Sequence, residues 1–71
     1  MGRRSPITNR VRELRDKHGS MTQAELGDAI GVTRQTIIAI EQGRYSPSLE
    51  SAFRIGRVFG VGLEEVFRWD E

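Results

Sequence analysis

Apolar residues along this chain recur at helical spacing rather than in strict alternation. Ile7, Val11, Leu14 and His18 form a stripe with a period of about 3.6 residues, and Pro6 stands where a helix accepts proline in its first turn, so the first helix is expected to begin at Pro6. Leu26, Ala29 and Ile30 then share one side of a second helix, from Gln23 to Ile30. In a third, from Arg34 to Gln42, Ile37, Ile40 and Glu41 cluster on one side while Gln35, Ile38, Ala39 and Gln42 fall roughly opposite, at about 100° per residue. Leu49, Ala52, Phe53, Ile55, Gly56 and Phe59 line most of the inner surface of a fourth, which Ser48 caps after Pro47 and Gly60 ends. Val61 leads into a last short helix, Leu63 to Phe67. No strand signal, repeat or low-complexity stretch precedes the tail. The fold class this pattern predicts is all-α, with five helices.

The ends of the second and third helices are the most sharply written part of the chain. Thr22 is a hydroxyl residue placed to accept a bond from a free N–H of the first turn, and Glu25, three residues on, completes a capping box. Gly31 supplies a left-handed residue that stops the second helix. Thr33 caps the third, and Gly43 ends it. Only Val32 is left to bridge the two, which forces them to cross steeply as in a helix-turn-helix. Leu26, Ile30, Val32, Ile37 and Ile40 make the small core expected to hold the pair rigid. The remaining face, led by Arg34, Gln35 and Thr36, is then free to work. Arginine can make two hydrogen bonds to a guanine edge and glutamine two to an adenine edge, while a threonine or isoleucine methyl can meet the methyl of thymine.

The segment TQAEL…IGVTRQTIIAIEQG resembles the Cro/repressor type of helix-turn-helix, the xenobiotic-response-element group of regulators with a lambda-repressor-like DNA-binding domain. The shared features are the TQ start, the turn Gly31, the IGVT turn, the apolar pair Ile37 and Ile40, and the end at Glu41 and Gly43. RELRDKHG before it and YSPSLESAFRIGRVFGVGLEEVF after it are similar to the group's first, fourth and fifth helices, so the resemblance covers residues 7–67. It implies base contacts from Arg34, Gln35, Thr36, Ile38 and Ala39. It implies phosphate contacts from Gln23, which would also brace Gln35, and from Thr33, Arg44, Tyr45 and Ser46. It further implies a structural ion pair between Arg15 and Glu41. Three departures stand out. Gly27 and Gly56 replace the usual alanine, each costing about 0.8–1 kcal/mol of helix propensity unless close packing requires the glycine. The GSMT loop is a residue longer than the common form, and Ile38 replaces what is often a polar side chain.

Composition narrows the picture. A chain of 71 residues has room for one small core, and without cysteine it has neither disulfides nor thiolate metal sites to reinforce it. Apolar stretches fall well short of a membrane span and no signal-peptide pattern opens the chain, so the expected location is cytoplasmic. Net charge is only +1, yet residues 1–47 carry eight Arg and Lys against five Asp and Glu, whereas residues 48–71 carry three against five. The basic half therefore coincides with the motif.

Nothing in the residues suggests an enzyme. The single histidine, His18, stands where it would cap the carbonyls ending the first helix, the serines have no basic partner legible in sequence, and Glu64 and Glu65 point in different directions on a helix. No cofactor, metal or small-molecule ligand is implied. Residues 1–6, with Arg3 and Arg4, are expected to be a flexible basic arm, residues 7–67 the DNA-binding domain, and residues 68–71 a tail. Trp69, two residues past Phe67, is large and apolar for a chain end; it either covers the domain's own core or, with Val66 and Phe67, makes a dimer contact, in which the tail could pair with its symmetry mate as a short strand. The expected partners are double-stranded DNA and a second copy of the chain, with two recognition helices about 34–36 Å apart. The expected function is that of a sequence-specific transcriptional regulator repressing from a short palindromic operator. The competing expectation is a protein-interaction module, an antitoxin or coactivator-like protein on the same fold, which would not require polar readers at Gln35 and Thr36.

Overall fold

The helix starts expected from hydroxyl caps are where the chain turns into helix. In a computed structural model that describes residues 6–70, the order is β1 (Ile7–Asn9), α1 (Val11–Lys17), α2 (Gln23–Ile30), α3 (Arg34–Glu41), α4 (Leu49–Phe59), α5 (Leu63–Val66) and β2 (Phe67–Trp69). Thr22 caps α2 in a complete capping box: its hydroxyl accepts from the Glu25 N–H at 3.0 Å, and the Glu25 carboxylate accepts from the Thr22 N–H at 2.8 Å. Thr33 and Ser48 cap α3 and α4 in the same way, accepting from Thr36 and Ser51. Gly31 ends α2 with φ +83°, a left-handed conformation that a Cβ would strain.

The core is one cluster in which α1, α2, α3, α4 and α5 all take part: Val11, Leu26, Ile30, Ile37, Ile40, Ile55, Phe59 and Val66 are buried together. Burying each such side chain contributes about 1.5–3 kcal/mol, so the cluster helps to fix the angle between α2 and α3. Val32 and Phe67 pack half-buried against this cluster. Two helices bury a glycine where the chain folds back over it. A Cβ on Gly27 would stand 2.7 Å from the carbonyl oxygen of Val32, and one on Gly56 would stand 2.9 Å from that of Val61. Close backbone approach therefore accounts for both glycines, and propensity alone does not.

Among the described residues the architecture is mostly helical with five helices, as expected, but a two-stranded antiparallel sheet within the chain was not anticipated. Ile7 pairs with Trp69, Thr8 with Arg68 and Asn9 with Phe67. The first helix consequently begins at Val11 and not at Pro6, and Ile7 belongs to a strand. The last helix stops at Val66, and Arg68 and Trp69 of the expected tail are part of the folded domain. Strands of three residues carry too few positions for alternation to register, and their pairing is decided by α5 returning the chain to its start. The Arg10 N–H, donating to the Val66 carbonyl at 2.9 Å, continues the sheet toward α1.

Three further expectations need correction. Ala29 is exposed, because α2 buries Leu26, Gly27 and Ile30 and turns position 29 outward. Leu49 and Phe53, expected inside, are 69% and 51% exposed, since α4 buries Ala52, Ile55, Gly56 and Phe59 instead. His18 lies just beyond α1, where its ring meets Phe59 edge-on at 5.5 Å rather than extending an inward stripe. The basic arm falls on residues 1–5, outside the described residues, apart from Pro6.

Candidate nucleic-acid interface

The candidate recognition surface is made by what α3 does not bury. Ile37 and Ile40 are wholly inside, which sets the rotation of the helix and leaves Arg34 and Gln35 exposed at its first turn, with Ile38 and Ala39 half-buried behind them. Arg34 takes part in no ion pair or side-chain hydrogen bond among the described residues, so its fork of donors is uncommitted. Thr36 is half-buried, and its hydroxyl lies 3.1 Å from that of Thr33, so the two hydroxyls stabilise the helix start together. Thr33, expected among the phosphate contacts, is in this structure the exposed cap of α3, its hydroxyl accepting from the Thr36 N–H at 3.2 Å.

The far end of α3 is held by a buried charge network. Arg15 on α1 donates from Nε to Glu41 at 2.6 Å and from a terminal nitrogen to the other carboxylate oxygen at 3.1 Å, so the pair is bidentate. Their side chains are 11% and 8% exposed. A third donation from Arg15, to the Met21 carbonyl at 2.8 Å, ties the loop before α2 to the same point. Hydrogen bonding to Glu41 raises the Arg15 pKa above its ordinary value against the opposing effect of burial, so the guanidinium stays charged. The ion pair implied by the resemblance is thus present, and its geometry makes it a brace for α3.

Gln23 joins that brace. Its amide donates to Glu41 at 3.1 Å, where the resemblance implied a contact to Gln35. The physical reason is reach: Gln23 opens α2 beside the C-terminal end of α3, whereas Gln35 lies at the N-terminal end. One amide hydrogen of Gln23 remains for a phosphate. In the loop that follows, Arg44 donates from Nε to the side-chain oxygen of Gln42 at 2.8 Å, and Tyr45 and Ser46 are exposed.

Asn9 is the residue that sequence reasoning missed. It sits at the end of β1, its amide donating to the Ile40 carbonyl at 2.9 Å and its oxygen accepting from the Val11 N–H at 3.1 Å. One side chain therefore links the sheet, the start of α1 and the last turn of α3. The available signal was an asparagine, a strong capping type, just ahead of Val11; reading Pro6 as the helix start concealed it.

Among the expected dimer residues, Val66 is corrected outright: it is fully buried in the domain's own core and has no surface to offer a second chain. Phe67 is half-buried against that core, so only part of its ring faces outward. Trp69, in contrast, is 68% exposed on β2. The strand it occupies is paired within the chain, to β1, along one edge.

A core-facing α3 with an open polar first turn, set across a one-residue bridge from a capped α2, defines a helix-turn-helix protein. The chain belongs to the helix-turn-helix family, whose model matches residues 11–66, and is a transcriptional regulator with a DNA-binding helix-turn-helix of the xenobiotic-response-element type. It is 55% identical over 62 residues to an uncharacterized HTH-type transcriptional regulator of Methanothermobacter thermautotrophicus, covering 86% of this chain and 88% of that one. It is 48% identical over 65 residues to another from Archaeoglobus fulgidus, covering 92% and 91%. In structure it is similar to the P22 c2 repressor crystallised with a synthetic operator, with a TM-score of 0.71 and 25% identity over 78% of this chain and 82% of that one.

Proposed function

We propose that this protein is a repressor that binds a short palindromic operator in double-stranded DNA as a homodimer and acts in the cytoplasm without catalytic activity. The observation that carries the reading is the exposed pair Arg34 and Gln35 on a helix whose opposite face is fully buried and whose far end is braced through Glu41. Such a helix enters a major groove by its N-terminal turn, with Arg34, Gln35 and Thr36 at base edges and Ile38 and Ala39 against methyl groups. Gln23, Thr33, Arg44, Tyr45 and Ser46 then meet phosphates and set the register. Support for a repressor comes from the likeness to the P22 c2 repressor, and support for a dimer from the exposed indole of Trp69 beside Phe67, a patch that a two-fold axis would bury on both copies. No helix among the described residues is long and apolar enough to cross a membrane.

Selection of bound sequences from a random DNA library, followed by titration of the selected duplex, tests the reading. Gln35→Ala is expected to cost about 1–3 kcal/mol on the selected site and to leave mixed-sequence binding nearly unchanged. Equal losses on both would end the base-reading role. Sedimentation of wild type and Trp69→Ala tests the dimer: the wild type should sediment as two copies and the variant shift toward one. A monomeric wild type, or a variant that stays dimeric, rejects this interface.

A further inference from the structure

The proposed interface draws on α2, α3 and the loop beyond them, and leaves α1 without a role at the DNA. Arg12, on the first turn of α1, lines an open depression of about 200 Å³ together with Gln23, Ile38, Glu41 and Gln42. Gln23 opens α2, Ile38 is a half-buried residue of α3 and Gln42 is its exposed C-cap, so this depression adjoins the helix that would approach DNA. Its charge is easily read. Glu41 is neutralised by the bidentate bond from Arg15, whereas Arg12 takes part in no ion pair or side-chain hydrogen bond among the described residues. The carboxylates nearest in sequence do not neutralise it either. Glu13 is engaged by Arg10 and Lys17, and Asp16, one turn on, is beyond ion-pair distance of Arg12. The net charge at the depression is that of Arg12.

Its polar lining suits the same ligand. Gln23 keeps one amide hydrogen after donating to Glu41, and Gln42, whose oxygen accepts from Arg44, keeps its amide hydrogens as donors. A single guanidinium with amide donors around it and a buried, already neutralised carboxylate behind it favours an anion with oxygens spread in a plane or tetrahedron. We propose that Arg12 is a further DNA-binding residue, which closes this depression on a phosphodiester oxygen of the strand running past the flank of α3. The inference rests on the proposed DNA-binding function and adds α1 to the interface.

The test is titration of a mixed-sequence DNA duplex with the whole protein at several salt concentrations, comparing wild type, Arg12→Ala, Arg12→Lys and Arg57→Ala. Arg57 is an exposed cation on α4 that removes the same charge and lies outside the proposed contacts. Arg12→Ala should weaken binding roughly threefold to tenfold at low salt and make the logarithmic salt dependence shallower by about one unit, Arg12→Lys should keep most of the slope, and Arg57→Ala should leave it unchanged. Equal slopes for wild type and Arg12→Ala would overturn the assignment, as would equal changes in Arg12→Ala and Arg57→Ala. Thermal melts of the same samples exclude unfolding as the cause, because Arg12 makes no bond that the fold uses. A wild type that fails to bind DNA at all rejects the proposed function itself, and the inference with it, whereas wild-type binding that Arg12→Ala leaves intact rejects the inference alone.

Discussion

Residues 22–43 and the terminal sheet are built over very different spans of chain. In the helix-turn-helix, each helix start is fixed by a hydroxyl three residues ahead of the N–H it accepts from, and the turn is closed by the Gly31 and Val32 N–H groups donating to the Gly27 carbonyl. In the sheet, Ile7 stands opposite Trp69, and nothing near either residue requires the pairing. The first region forms its local bonds as the chain becomes helical, and the second must first close a loop that contains nearly the whole domain, at an entropic cost that only the packed core offsets. The two are nonetheless joined, because Asn9 carries a bond from the sheet to the last turn of α3, and Arg15 carries one from α1 to its C-terminal residue. A recognition helix specified locally is thus held in place from a distance.

The largest expected effect tests whether the motif could stand without that hold. Glu41→Ala leaves the Arg15 guanidinium nearly buried with no carboxylate, and should destabilise the domain by about 3 kcal/mol, the lower end for a broken buried pair because open depressions beside it admit water. Urea unfolding measures it, and a loss no greater than that of a surface substitution would mean the motif is self-sufficient. Next comes Gly27→Ala, which sets local propensity against packing inside the motif. A gain of about 1 kcal/mol in helix propensity competes with a contact of 2.7 Å to a backbone carbonyl that cannot move without shifting the turn, and overpacking of this kind costs about 1–3 kcal/mol. A net loss is expected in the same melts. Stabilisation by Gly27→Ala would show that propensity alone governs this helix.

Asn9→Ala sharpens the link between the two regions. It removes the bond to the Ile40 carbonyl and the bond from the Val11 N–H, and should cost about 1–2 kcal/mol. Hydrogen exchange of the α3 amides would distinguish a lost brace from a frayed strand: faster exchange in the last turn of α3 is expected, and protection unchanged there would confine Asn9 to the sheet. The smallest effect belongs to the surface of α1. Hydrogen bonds first from Arg10 and then from Lys17 hold the Glu13 carboxyl below its ordinary pKa of 4.5. A lowered folded pKa contributes stability that is present above the unfolded value and lost as pH falls through the folded one. Wild type should therefore exceed Glu13→Gln slightly at neutral pH, with the difference fading in acid and in high salt, as expected for an exposed pair. A pH series of thermal melts checks the sign.

The helix-turn-helix was legible because its information is short-ranged. Thr22 with Glu25, Thr33, Gly31 and the spacing of Leu26, Ile30, Ile37 and Ile40 each act within a turn or two, where sequence separation and spatial separation are nearly the same. The exposure of Arg34 and Gln35 followed from the burial of Ile37 and Ile40 by helix geometry alone. Ala29, Leu49 and Phe53 were misjudged for the converse reason. Periodicity shows that a helix has a stripe, but the width and centre of the buried part depend on which neighbours arrive.

By itself, then, the sequence determined where α2, α3 and α4 begin, how α3 is rotated, and which of its side chains are left exposed, since caps, left-handed glycines and the 3.6-residue period are local consequences of backbone hydrogen bonding and side-chain shape. Only the tertiary structure decided that Ile7 and Trp69 share a sheet, that Val66 is core, that Gln23 turns to Glu41, and that Asn9 and Arg12 stand beside the recognition helix. Each of those depends on residues distant in the chain meeting across the packed core, and no local rule records which distant partner a side chain will find.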